Sequence, residues 1–224
     1  MNHFTKINVP LYFYNSINIA PLLFSTLFSP SSPEIHPFVS PPCPISIKSV
    51  MDKQLLHGHN DPVLCVALCN NQVASGSRSG SIIVHSTSSN KVEYRADNVF
   101  AYGVQGLCYL LDGSLVAVGC DEGGKLKVLS PSLELVQTLV GHTGGVFCVT
   151  VSPSGSHFAS GGDGGKVMIW SESGEGGEWA RVQVLEGHTD RIYAVCFSPD
   201  GKQLATGSLD KSINLYSFNE GMPS

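Results

Sequence analysis

From residue 63 onward the apolar positions fall into short alternating runs separated by glycine, serine, asparagine and aspartate. Val146 to Val151, VFCVTV, is followed by the turn Ser-Pro-Ser-Gly. A second run, HFASGG, leads to an acidic glycine turn and a third run, KVMIW. Period-two alternation over five to seven residues, bounded by turn formers, predicts β-strands. The pattern recurs. Gly141 to Trp170, GHTGGVFCVTVSPSGSHFASGGDGGKVMIW, has its counterpart in Gly187 to Tyr216, GHTDRIYAVCFSPDGKQLATGSLDKSINLY. Each copy predicts three strands and opens on Gly-His.

Four units can be phased on these landmarks. His59 and His142 lie 83 positions apart, about twice 41, and His142 and His188 lie 46 apart. The extra length of the third unit falls in Ser171 to Ala180, SESGEGGEWA, which reads as a loop between its third and fourth strands. Unit two is degenerate. Asp97-Asn98 stands where Gly-His is expected, while Leu111-Asp112-Gly113 supplies the turn and Lys125 to Leu129 the third strand. In unit one the strands are expected at about 63–69, 72–76, 81–85 and 91–95. The units run approximately 53–95, 96–139, 140–185 and 186–218, with 219–224 as a tail.

A period near 40 residues with a Gly-His opening and an aromatic close resembles the WD-repeat β-propeller family. The resemblance covers about residues 53 to 218 and implies an all-β propeller of four recognisable blades. The last unit lacks a fourth strand. In the family the segment before the first Gly-His supplies that strand, and residues 53–56 are positioned for it. Four units is fewer than the family's usual seven or so. The ring is therefore small, the chain pairs with another, or the gene product is partial. An open or strained four-blade arc is the favoured expectation.

The resemblance also gives the turn histidines a role. In the family they join a Ser or Thr of the second strand, an Asp of the next turn and a third-strand Trp in a buried hydrogen-bonded network. Unit four offers His188, Thr206 and Asp210, with Tyr216 in the Trp position. Unit three offers His142, Ser160 and Trp170, with Asp163 one place early and Gly164 in register. Unit one offers His59 and Ser75, with Ser79 for the acid and His85 for Trp. The same triad on separate units argues for architecture over catalysis, and no catalytic, cofactor-binding or metal-binding residues are assigned. Gly119 to Lys125, GCDEGGK, lacks the Ser/Thr of a phosphate loop and leads into a strand, and Gly161 to Lys166 lacks the spacing; both read as turns.

Composition narrows the partners. A formal charge of −5 and no local basic cluster exclude the footprint of direct nucleic-acid binding. Seven cysteines show neither zinc spacing nor a paired framework, which implies a reducing compartment, cytoplasmic or nuclear. Cys65, Cys148 and Ala194 share one position, six after the histidine; in the family that strand lies closest to the crowded central axis, so the resemblance implies small packing residues there. Residues 1–50 form a separate class, with eight of the thirteen prolines, and predict a Pro-rich, apolar extension of low order with Met51 a natural start. No membrane contact is expected unless residues 9–28 act as a signal or anchor; Pro10 and Pro21 interrupt that run.

The expected function is a non-catalytic scaffold that presents propeller loops to other proteins or peptides, with no cofactor. In the family the face carrying the loops before the first strand and after the second often docks peptides, so the resemblance makes Arg78, Arg191, Tyr193 and Leu209 the contact candidates. The alternatives are a propeller hydrolase with a channel site and a ubiquitin-ligase substrate receptor. The first lacks channel acids at the positions of Cys65, Cys148 and Ala194. The second lacks Trp-Asp-x-Arg, because Trp170 is followed by Ser171.

Overall fold

The computed structural model describes residues 53–173 and 177–218. The N-terminal extension expected over residues 1–50, its apolar run at 9–28 and the tail at 219–224 lie outside them. Fifteen strands form four antiparallel sheets, each a meander. Blade one comprises β1 (Val63–Cys69), β2 (Gln72–Ser77), β3 (Ile82–Ser86) and β4 (Val92–Ala96). Blade two comprises β5 (Val104–Tyr109), β6 (Leu115–Gly119), β7 (Lys125–Leu129) and β8 (Leu135–Val140). Blade three comprises β9 (Val146–Val151), β10 (His157–Gly162), β11 (Val167–Ser173) and β12 (Glu178–Leu185). Blade four has β13 (Ile192–Phe197), β14 (Gln203–Ser208) and β15 (Ile213–Ser217).

Local chemistry sets the connections. The Ser-Pro-x-Gly turns close with Gly155 N–H donating to Ser152 O and Gly201 N–H to Ser198 O, both at 2.9 Å. The β1–β2 hairpin is tighter, with Cys69 opposite Gln72 and Asn70 in the left-handed region at φ 49°.

The first strands β1, β5, β9 and β13 stand next to one another in chain order. Three apolar cores fill the seams between successive blades. Ile82, Val84 and Val104 contribute to the first, Val118, Leu126 and Phe158 to the second, and Ile169, Ile192 and Leu204 to the third. At each seam the second strand of one blade stands against the first strand of the next, and side chains of its third strand join the same core. Positive-φ glycines bring adjacent blades close. A Cβ on Gly80 (φ 82°) would stand 1.9 Å from Phe100 O, and one on Gly165 (φ 69°) would stand 2.3 Å from His188 O. Only glycine fits both the dihedral and the space.

Two expectations are corrected here. Residues 53–56 form no strand, and among the described residues the fourth sheet holds β13–β14–β15 alone. The segment instead approaches its own blade: His57 O meets His85 Nε2 at 2.9 Å and Gly58 O accepts from the Arg95 guanidinium at 2.9 Å. These side chains of β3 and β4 satisfy carbonyls of a segment that makes no strand ladder. Second, Ser171 to Ala180 is not a loop throughout, because β11 and β12 extend into it and Ser173 pairs with Glu178. Trp179 is the reason. It is buried with its ring 4.8 Å from Phe158, which makes continued pairing favourable.

Candidate functional site

Each blade carries a polar or apolar knot where the turn before its first strand crosses its second and third. In blade three, Trp170 Nε1–H donates to Ser160 Oγ at 2.9 Å, and Ser160 Oγ is 2.8 Å from His142 Nε2. His142 Nδ1 is buried without a protein partner. Desolvation, reinforced by the Arg181 charge, lowers the His142 pKa to about 4, so its imidazole is neutral.

In blade four, His188 Nε2 lies 2.9 Å from Thr206 Oγ1, and Nδ1 lies 2.9 Å from Asp210 Oδ2. Hydrogen bonds from the Ser212 hydroxyl, and from the Thr189 and Ser212 N–H groups, hold the Asp210 carboxyl well below the usual carboxylate range. In blade one, His59 Nε2 lies 2.8 Å from Ser75 Oγ and Nδ1 3.0 Å from Ser81 Oγ. Burial lowers the His59 pKa.

The positions read from sequence need four corrections. Asp163 makes no contact with His142; it accepts from Gly145 N–H at 2.9 Å and from Arg191 Nε at 2.6 Å, because its place one residue early carries it to the loop face. Tyr216 does not reach Thr206: its hydroxyl donates to Glu186 O at 3.3 Å, holding the Gly-His turn by its backbone instead. In blade one the hydroxyl beside the imidazole is Ser81, while Ser79 bonds to Ser77 and His85 to His57 O. Ser212 is the corresponding hydroxyl of blade four, 3.0 Å from His188 Nδ1.

The fourth correction concerns blade two. The residue six places before the innermost position, there Gly106, is Phe100 and not Asn98. Phe100 is fully buried, with Ala117 in the Ser/Thr position and Leu129 in the Trp position. Donors and acceptors have been replaced together, so none is stranded. Lys127 Nζ sits 4.7 Å over the Phe100 ring and donates to Val99 O.

The loop face is the second candidate surface. Arg78, Cys120, Asp163 and Leu209 occupy one equivalent place, the start of the turn after each blade's second strand. Each donates its N–H to the residue just before its blade's first strand: Arg78 to Pro62 O at 2.9 Å, Cys120 to Gly103 O at 3.4 Å, Asp163 to Gly145 O at 2.8 Å and Leu209 to Arg191 O at 2.9 Å. Arg78 and Leu209 are exposed. Arg191 and Tyr193 lie together: the Tyr193 ring centroid is 4.9 Å from Phe147, and the Arg191 guanidinium is 5.8 Å from the same ring. Sequence reasoning missed Phe147, whose signal was its place one residue into β9, matching Tyr193 in β13.

Along the inner strands, Cys65 Sγ is 3.4 Å from Val104 O and Cys148 Sγ 3.6 Å from Ile192 O. Burial pushes both thiols up to about 12, and Cys108 likewise, so they stay protonated and pack as small apolar groups.

Four radially arranged meanders with a His–Ser/Thr knot in three of them match a family described as "WD domain, G-beta repeat", over residues 52–86, 133–171 and 179–217, just over half the chain. The chain belongs to the WD-repeat family. The matched stretches leave out the first three strands of blade two, whose Phe100 knot lacks the polar signature. Among related proteins, a ribosome biogenesis protein WDR12 homolog of Chlamydomonas reinhardtii is 52% identical over 50 residues, which is 22% of this chain and 11% of that protein. A zebrafish (Danio rerio) WD repeat, SAM and U-box domain-containing protein 1 is 29% identical over 118 residues, 51% of this chain and 24% of that one. THO complex subunit 3 of Arabidopsis thaliana is 41% identical over 51 residues, 22% of this chain and 16% of that one. The WD-repeat chain thus aligns with a quarter or less of each. The crystal structure of the computationally designed Ika4 protein superposes with a TM-score of 0.62 at 20% identity, covering 75% of this chain and all of Ika4. That likeness concerns the fold. Among the described residues no helix is long and apolar enough to cross a membrane.

Proposed function

We propose that this WD-repeat protein is a non-catalytic interaction scaffold that presents its loop face to other proteins, in the cytoplasm or nucleus. The observation that carries the reading is the loop-face group of Arg191, Tyr193, Phe147 and Asp163. Backbone pairing holds its turns rigid, and it offers an aromatic–arginine surface of the kind enriched at binding hot spots. The polar residues that could suggest catalysis are committed elsewhere: His59, His142 and His188 each bond within their own blade, on separate sheets. Two relatives are named for work in assemblies, one for ribosome biogenesis and one as a THO complex subunit, which supports protein partners as the ligand class.

Affinity capture from a cell extract tests the reading. Partners recovered with the unaltered chain are expected to be lost with an Arg191→Ala/Tyr193→Ala variant whose thermal unfolding is unchanged. An identical set of captured proteins would exclude this face. A hydrolase screen is expected to find no turnover; turnover abolished by a substitution on the inner strands would replace the scaffold with an enzyme.

A further inference from the structure

The four blades use the same positions to meet one another, and at the two ends of the arc no described residue covers those positions. On the third strands, Ile82 and Val84, Leu126 and Val128, and Val167 and Ile169 occupy one pair of equivalent places, each pairing with the second strand in the same register. All six are 3% exposed or less, because the next blade covers them. The same places in blade four hold Ile213 and Leu215, at 81% and 62%. Beside them on that face, Cys196, also exposed, pairs with Ala205, which pairs in turn with Leu215.

The opposite faces behave in the same way. Val104, Leu107 and Tyr109 of β5, and Val146, Val149 and Val151 of β9, are buried against the preceding blade. Their counterparts in blade one are Val63, Val66 and Leu68, exposed at 49%, 45% and 63%. One end of the arc therefore presents the giving half of a blade–blade seam and the other presents the receiving half, both in apolar residues of the same kind as the internal seams. Water-exposed aliphatic groups clustered this way mark an association surface.

We infer that the exposed face of blade four docks on the exposed face of blade one of a second copy of this chain. The two ends are different but complementary, so the contact is heterologous. Two copies satisfy both ends at once, closing a two-fold ring of eight blades, within the range that propellers adopt. A second copy is favoured as the occupant because the surfaces needed at both junctions are already on each chain. The junction differs from the internal ones at Lys211 (φ 72°), which stands where Gly80 and Gly165 admit the next blade's backbone. The docked Gly58–His59 turn accordingly stands off, and the inner apolar half makes the contact. This inference is independent of which proteins bind the loop face.

Light scattering on the full 224-residue chain after size exclusion tests it, with an expected mass of twice 23.8 kDa. Ile213→Glu and Val66→Glu, both at exposed sites, are each expected to give monomers with unchanged circular dichroism. An equimolar mixture of the two variants is expected to recover part of the dimer, since it regenerates one intact junction. Four results would overturn the inference: a monomeric unaltered chain, concentration-dependent growth beyond a dimer, a Val66→Glu variant that remains dimeric, or a mixture that stays monomeric.

Discussion

Arg191 Nε donates to Asp163 Oδ1 at 2.6 Å across the seam between blades three and four, while the other carboxylate oxygen of Asp163 accepts from Gly145 N–H. One side chain thus ties two blades and orients the arginine that the loop face presents. Both groups reach solvent, so the ion pair itself contributes at most about 1 kcal/mol, and losing the acceptor for Gly145 adds about as much again. Asp163→Ala is expected to lower stability by about 1–2 kcal/mol in urea denaturation. Partner capture is expected to weaken more than this loss explains, because Arg191 is no longer held over Phe147.

Ser160→Ala strips both His142 Nε2 and Trp170 Nε1 of their partner inside the protein. Each stranded buried group costs about 1–3 kcal/mol, so a loss of about 2–6 kcal/mol is expected in the urea midpoint series. Ala117 occupies the same place in blade two with no such penalty, since its neighbours Phe100 and Leu129 are apolar.

Phe100→His would restore the family's residue in blade two and is nonetheless expected to destabilise it. An imidazole there meets no hydroxyl from Ala117 and loses the packing of a fully buried ring. Phe100→Ala is expected to cost about 3–5 kcal/mol, as large aromatic-to-alanine changes in cores do. The histidine variant should fall at about 2–4 kcal/mol, from the unpaired polar atoms. A Phe100→His variant as stable as the parent in thermal unfolding would show that blade two tolerates the polar arrangement.

Stability is expected to rise with pH between about 4 and 6.5. The His142 pKa is lowered to about 4 in the folded chain against an ordinary 6.5, so in this window the unfolded chain binds the extra proton. The contribution is complete above pH 6.5 and is lost progressively as the pH falls toward 4, amounting to about 3 kcal/mol. His59, also lowered by burial, acts with the same sign. Chemical denaturation at stepped pH checks this, and a His142→Gln variant should show a shallower slope.

The strands of the Gly-His units were legible because alternation and turn residues agree there, as in Val146–Val151 and Ile192–Phe197. The His–Ser and His–Thr pairs were legible through the family's pattern. Phe100 was not, because an apolar substitute leaves no polar signature and Asp97-Asn98 offered turn chemistry nearby. Trp179 was hidden by the glycines and glutamates that surround it in the sequence. Asp163 lay one residue out of register, enough in a tight glycine turn to send its carboxylate to another blade. The path of residues 53–59 depended on His85 and Arg95, whose bonds to backbone carbonyls no periodicity announces.

The glycine contacts at Gly80 and Gly165 have a bearing on how the chain is made. The turn of an earlier blade reaches its final surroundings only when the next unit's backbone arrives over it, as Phe100 does at Gly80. A nascent chain leaving the ribosome would then consolidate each module one step behind synthesis, from the amino end outward. Limited proteolysis of stalled intermediates should find the newest module cleavable and its predecessors protected.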